Sequence, residues 1–65
     1  MNSQPSHLEK LGRRILAEAN DLKRTPEALA NELGYELSVI KSVISGREDL
    51  EVVQTLLSRM YAKYP

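Results

Sequence analysis

The chain has 65 residues, of which 42% are hydrophobic, and its nine basic residues are balanced by nine acidic ones. A chain of this length forms one domain with a thin core, because so small a domain hides only about 60% of its extended surface. The absence of cysteine excludes disulfides and thiolate metal sites. No long apolar run marks a signal peptide or a transmembrane helix, so the predicted location is cytoplasmic. With zero net charge, the chain lacks the excess of basic residues that is usual in dedicated DNA-binding domains.

The first predicted element is a helix over residues 7–20, preceded by a disordered leader at residues 1–5. Ser6 and Glu9 have the spacing of a capping box, in which each side chain bonds the backbone amide of the other residue. The apolar residues of this segment recur with helical spacing and define one buried face. That face contains Leu8, Leu11, Ile15, Ala19 and Leu22.

A second, short helix is predicted to begin after Thr25. Threonine is a good N-cap, and Pro26 at the first helical position loses no hydrogen bond, because that amide has no partner within the helix. Gly34 is expected to end the helix in the left-handed conformation.

The third helix is predicted from residue 36 or 37 to residue 45, where Gly46 ends it. A fourth helix is predicted to start at Asp49, a carboxylate cap assisted by Glu51 in the first turn. We expect Leu37 and Ser38 to lie outside the core. The residues expected inside are Leu11, Ile15, Leu29, Ala30, Leu33, Ile40, Val43, Val53, Leu56 and Leu57.

Two short helices joined through a glycine are the basis of a helix-turn-helix. The ordered positions that carry this pattern are Thr25, Leu29 with Ala30, Gly34, Ile40 with Val43, and Gly46. Over about residues 11–60 the chain resembles the Cro/repressor (Xre-like) family, in which these positions cap, pack and end helices 2 and 3. An unrelated four-helix orthogonal bundle with a chance glycine turn is the alternative.

The resemblance implies an all-α fold, a small four-helix orthogonal bundle with a λ repressor-like helix-turn-helix. The family usually adds a fifth short helix, and this sequence ends just before it. We therefore expect residues 6–65 to form a helix-turn-helix domain that is the N-terminal part of a longer protein.

In DNA-binding relatives, the third helix enters the major groove and presents side chains to base edges. The matching base-facing candidates here are Leu37, Ser38, Lys41 and Ser42. None of them is Arg, Gln or Asn, the side chains that make bidentate contacts to bases. Pro26 stands where the family often has a phosphate-binding glutamine, and Glu36 stands where a small hydroxyl cap is usual. This surface is therefore poorly suited to reading bases.

Other basic residues could contact DNA phosphates beside the third helix. The phosphate candidates are Arg13, Arg14, Lys23, Arg24 and Arg47, with Lys10 close to them in sequence. The alternative is an ordinary solvated face, because Glu9, Glu18 and Asp21 are interleaved with these residues.

The sequence contains no convincing catalytic, metal or cofactor site. His7 has no second ligand at metal spacing, and the acidic residues around Asp49 are explained by helix capping. Ser45 lacks a base and an oxyanion site. We therefore expect that the chain is not an enzyme on its own.

Two functions remain open. The first is the DNA-binding domain of a transcriptional regulator, which binds double-stranded DNA as a dimer. The second is a helix-turn-helix without DNA binding, acting as a protein-interaction or oligomerisation module at the front of a longer cytosolic protein, such as a cupin-type enzyme. An exposed patch would then serve a homodimer or the missing C-terminal domain. The patch is predicted to contain Leu50, Val52, Tyr61 and Tyr64.

Overall fold

The computed structural model describes residues 6–64, which form four helices and no strand. The helices are α1 (His7–Asp21), α2 (Pro26–Leu33), α3 (Leu37–Ile44) and α4 (Leu50–Lys63). The fold is a small all-α bundle of four helices, as predicted. The predicted leader at residues 1–5 lies outside the described residues. None of the four helices has the length and apolar character needed to cross a membrane.

The first two helices begin with the caps that the sequence predicts. The Glu9 amide donates to Ser6 Oγ at 3.2 Å, and the Ser6 amide donates to Glu9 Oε1 at 2.8 Å, which completes a capping box. At α2, the Ala28 amide donates to Thr25 Oγ1 at 3.1 Å, and Pro26 is the first helical residue. Each cap satisfies amides that have no partner inside the helix.

Helices α3 and α4 begin without such a cap. Glu36 and Asp49 occupy the N-cap positions, but neither carboxylate accepts a hydrogen bond from its helix. The Asp49 amide instead donates to Glu48 Oε1 at 3.2 Å. Asp49 is the N-cap residue of α4 and Glu51 lies in the first turn, as predicted, but the Asp49 side chain makes no cap hydrogen bond. Both carboxylates still lie at the positive end of a helix dipole, which favours negative charge.

The ends of α1 and α2 both use a left-handed residue. Gly34 closes α2 with φ 79°, as predicted. After α1, Lys23 has φ 59°, and the following Arg24 amide donates to Ala19 O at 2.9 Å. The helix ends at Asp21, one residue beyond the predicted end. The left-handed Lys23 was not predicted, because lysine has a steric cost in this conformation that glycine does not.

The core lies between all four helices and is entirely apolar. It contains Ile15, Ala19, Leu29, Ala30, Leu33, Ile40, Val43, Val53, Leu56 and Met60. Two residues expected there, Leu11 and Leu57, are only half-buried. Leu37 was expected outside, but it is half-buried and packs against the core. Short helices leave such residues at the edge of the core, where burial depends on the neighbouring helix.

Helices α1 and α3 meet at Gly12, a close contact that the sequence analysis missed. Gly12 is buried in the middle of α1. A Cβ there would collide with the carbonyl oxygens of Val43 and Ile44, and it would lie 2.5 Å from the Ile44 oxygen. The residue therefore lets the two backbones touch.

Candidate functional site

The solvent face of α3 is polar and narrow. Ser38 and Lys41 are exposed, whereas Leu37 and Ser42 are half-buried at its edges. Just after the helix, the Ser45 hydroxyl donates a hydrogen bond to the backbone oxygen of Lys41 at 2.9 Å. Of the four base-facing candidates, Ser38 and Lys41 are therefore the two that are exposed.

The charge of this face is close to zero. Lys41 is the one charged residue within α3. Glu36 is exposed at the start of the helix, where it makes no side-chain cap hydrogen bond. In a major-groove complex the start of the helix approaches DNA, so this carboxylate would face phosphates.

Two glycines fix how α1 lies against the end of α3. Gly12 contacts the last turn of α3, as described above, and Gly46, with φ 76°, lies against Glu9. A Cβ at Gly46 would be 2.6 Å from Glu9 Cγ. Two of the phosphate candidates, Arg13 and Arg47, directly follow these glycines in sequence, and both are exposed.

Arg14, another phosphate candidate, is bonded at the surface by Glu18 and Tyr61, with its side chain 61% exposed. Its Nη2 donates to the Tyr61 hydroxyl at 2.8 Å, and its Nε donates to Glu18 Oε2 at 3.3 Å. The Tyr61 hydroxyl in turn donates to Glu18 Oε2 at 2.9 Å. Tyr61 and then Glu18 raise the pKa of Arg14. We call these three residues the Arg14 cluster; it links α1 to the last turns of α4.

Arg24 is held in the same manner by Glu32 and Tyr64. Its Nε donates to Glu32 Oε1 at 3.2 Å, and its guanidinium lies over the Tyr64 ring, 5.6 Å from the centroid. The Tyr64 hydroxyl donates to Glu32 Oε1. That bond lowers the pKa of Glu32, assisted by Arg24, and raises the pKa of Tyr64. These residues form the Arg24 cluster, which links α4 to α2 and to the segment before it.

The predicted phosphate strip is therefore divided. Arg14 and Arg24 gather around the C-terminal turns of α4, and the exposed Lys23 occupies the left-handed position between α1 and α2. The spacing of Arg14 and Glu18 is a helical ion-pair signal that the sequence offered. The part played by Tyr61 and Tyr64 depends on the packing of α4 and had no sequence signal.

Arg59 fixes the turn between α2 and α3. Its guanidinium lies over the Tyr35 ring, 4.9 Å from the centroid, and its Nη1 donates to Leu33 O at 3.3 Å. This contact satisfies a carbonyl at the end of α2 and ties the turn to α4. The sequence analysis did not identify it, because the partners are far apart in the chain.

The predicted apolar patch lies on two different faces of α4. Leu50 and Tyr61 are the exposed large apolar residues, at 41% and 46% exposure. Val52 is half-buried and lines a shallow depression with Tyr35. Tyr64 is half-buried in the Arg24 cluster. Among the four predicted patch residues, Leu50 and Tyr61 are therefore the two that are exposed to a partner.

The remaining surface offers little enclosed space. A groove of about 160 Å³ between the C-terminal parts of α1 and α4 is lined by Asp21, Leu22 and Met60 together with parts of both clusters. Within residues 6–64, no group of three or more acidic or histidine side chains is placed to hold a metal ion.

Comparison with known proteins found one short similarity. The chain is 44% identical over 45 residues to methylphosphonate synthase of Nitrosopumilus maritimus. The similarity covers 69% of this chain but 10% of the relative, so the chain spans about a tenth of that protein's length. No family model matches the chain, and no solved structure matches it.

Proposed function

We propose that this chain is a non-catalytic helix-turn-helix module of the Xre-like type that binds protein rather than DNA. Its role is to hold together parts or copies of a larger protein. The helices α2 and α3 with the Gly34 turn supply the fold of the module, and α4 supplies its contact surface.

The observation that carries the proposal is the engagement of Arg14 and Arg24 within the fold. A DNA-binding surface needs cations that are free to neutralise phosphates. These two guanidinium groups instead bond carboxylates and tyrosines on neighbouring helices. A phosphate that approached either group would compete with the carboxylate that already bonds it, Glu18 for Arg14 and Glu32 for Arg24.

The similarity to methylphosphonate synthase supports the same choice. In that protein the matching segment is a tenth of a longer chain whose name describes an enzyme. A segment of this size and composition is better suited to docking than to catalysis, because the described residues hold no metal-ligand group and only shallow grooves. Docking is therefore the role that we propose for the present chain.

The rival function, the DNA-binding domain of a transcriptional regulator, has support from four exposed cations, Arg13, Lys23, Lys41 and Arg47. Lys41 projects from the exposed face of α3, the helix that would enter the major groove. One lysine with two flanking serines gives little base discrimination, since bidentate pairs supply most of it. The protein-binding role therefore has more support.

The relative allows a direct test. Three versions of methylphosphonate synthase would be compared: the unaltered protein, one lacking the matching segment, and one in which this chain replaces that segment. If the module docks, deletion lowers the melting temperature and replacement restores it. A replacement that melts like the deletion, or a deletion that melts like the unaltered protein, would contradict the proposed role.

A further inference from the structure

One face of α4 carries four side chains that follow each other at helical spacing. They are Leu50, Gln54, Leu57 and Tyr61, which we call the α4 stripe. Residues separated by three or four positions share one face of a helix. Leu50, Gln54 and Tyr61 are exposed and Leu57 is half-buried, so the stripe is accessible along its length, about 16 Å at 1.5 Å per residue.

The spacing of the stripe reads the same in both directions. The intervals from Leu50 to Gln54, to Leu57 and to Tyr61 are four, three and four residues. If two copies of α4 run antiparallel, Leu50 of each copy lies opposite Tyr61 of the other, and Gln54 lies opposite Leu57. A two-fold interface needs a surface that is complementary to itself in this way.

The charges at the two ends of α4 favour the same orientation. Asp49 and Glu51 flank Leu50 at the start of the helix, whereas Lys63 lies in its last turn. Antiparallel copies bring the acidic start of one helix to the basic end of the other, and they oppose the helix dipoles. Parallel copies would instead place Asp49 and Glu51 against the same residues of the partner.

We propose that the α4 stripe binds a second copy of this chain, with the two α4 helices antiparallel. Leu50 packs on the partner's Tyr61 ring at both ends of the interface, while Leu57 and Gln54 meet at its centre. Zero net charge imposes no long-range repulsion between the copies. The face is small, and interfaces below about 1,200 Å² are typical of weak, reversible complexes.

This inference deepens the proposed protein-binding role, because it names the partner as a second copy. Its test is independent of both DNA and methylphosphonate synthase. A monomeric chain would overturn the inference and leave the replacement experiment untouched. DNA binding by the chain would overturn the proposed function and leave the dimer intact.

Cysteine cross-linking tests the pairing, since the chain has no cysteine of its own. Chains carrying Leu50→Cys and isotopically labelled chains carrying Tyr61→Cys would be mixed and oxidised, and the disulfide products would be weighed by mass spectrometry. Random pairing of equal amounts of the two chains would make half of all disulfides mixed, and the antiparallel pairing predicts a mixed fraction well above one half. The control is Thr55→Cys, an exposed position on the other side of α4, which should cross-link only at the rate of random collisions.

A second measurement tests the dimer without any oxidation step. By sedimentation equilibrium, Leu50→Glu should weaken dimerisation on the order of tenfold, because it places a charge against an apolar ring. Thr55→Glu adds the same charge off the stripe and should dimerise like the wild type. Circular dichroism would verify that both variants fold. A monomeric wild type, mixed disulfides at the statistical proportion, or equal effects of the two glutamates would overturn the proposal.

Discussion

Gly12 sets the distance between α1 and α3 by lacking a side chain. In most helix interiors, alanine is more favourable than glycine by about 1 kcal/mol. Here the added Cβ would meet the carbonyl oxygens of Val43 and Ile44, which belong to a rigid helical backbone. The local preference and the packing therefore oppose each other, and packing is the larger effect.

We predict that Gly12→Ala destabilises the domain by about 1–3 kcal/mol, the usual cost of overfilling a packed site. Urea unfolding followed by circular dichroism would measure the change. The matched control is Ala17→Gly on the exposed face of α1, which should cost about 0.5–1 kcal/mol through helix propensity alone. A Gly12→Ala variant as stable as the wild type would show that α1 and α3 do not touch at this residue.

Tyr64 and Glu32 give a second prediction at this scale. The Tyr64 hydroxyl is the main cause of the lowered pKa of Glu32, so Tyr64→Phe should raise that pKa toward its ordinary value. A carbon-13 NMR titration of the glutamate carboxyls would follow this. Glu9 is the internal control, because its pKa is lowered mainly by the Ser6 amide and should not move. An unchanged pKa of Glu32 in Tyr64→Phe would contradict the hydrogen bond between these two residues.

The hydrogen bond between Tyr64 and Glu32 makes a contribution to stability that depends on pH. A carboxyl with a lowered pKa in the folded state stabilises the fold above the ordinary glutamate pKa, about 4.3. That contribution disappears as the pH falls through the lowered value. The difference in stability between wild type and Tyr64→Phe should therefore shrink in acid.

At the scale of helices, the sequence predicts local caps better than contacts between helices. Ser6, Thr25 and Gly34 act through neighbours in the chain, so their roles follow from local patterns. Lys23 adopts a conformation that its side chain does not favour, and it does so because α2 must turn back onto α1. Gly12 and Arg59 act on residues distant in sequence, and no local pattern names their partners.

Substitutions at the two left-handed helix ends should change the stability of the domain in opposite directions. Gly34→Ala should destabilise the domain by about 1 kcal/mol from backbone strain alone, because no atom lies within 4 Å of the new Cβ. Lys23→Gly should stabilise it by up to about 1 kcal/mol, since glycine adopts this conformation readily. Thermal unfolding of both variants would measure the shifts. A stabilised Gly34→Ala, or a destabilised Lys23→Gly, would contradict these helix ends.

At the scale of the whole molecule, composition indicated the small helical fold correctly, but it could not locate the functional surface. The basic residues counted as one strip in the sequence are separated by packing, because α4 brings Tyr61 to Arg14 and Tyr64 to Arg24. Likewise the apolar residues of α4 divide between two faces. The all-α class therefore followed from patterns along the chain, whereas the site depended on how the fourth helix lies across the others.

The dependence of DNA binding on salt separates the two functions. If Arg13, Lys23, Lys41 and Arg47 each neutralised one phosphate, raising salt from about 50 to 200 mM would weaken DNA binding on the order of 10²-fold. A protein-binding module has no reason to show that dependence. Lys41 is the decisive residue, because it is the one charged side chain within α3.

The most direct measurement is fluorescence anisotropy of a labelled random duplex titrated with the chain at about 50 mM salt, using wild type and Lys41→Glu. Non-specific DNA binding by true DNA-binding domains has dissociation constants of about 10⁻⁴–10⁻⁶ M even at physiological salt. The protein-binding account predicts no change in anisotropy up to about 100 µM of either protein. Binding in that range, weakened both by salt and by Lys41→Glu, would contradict it and identify α3 as a DNA-docking helix.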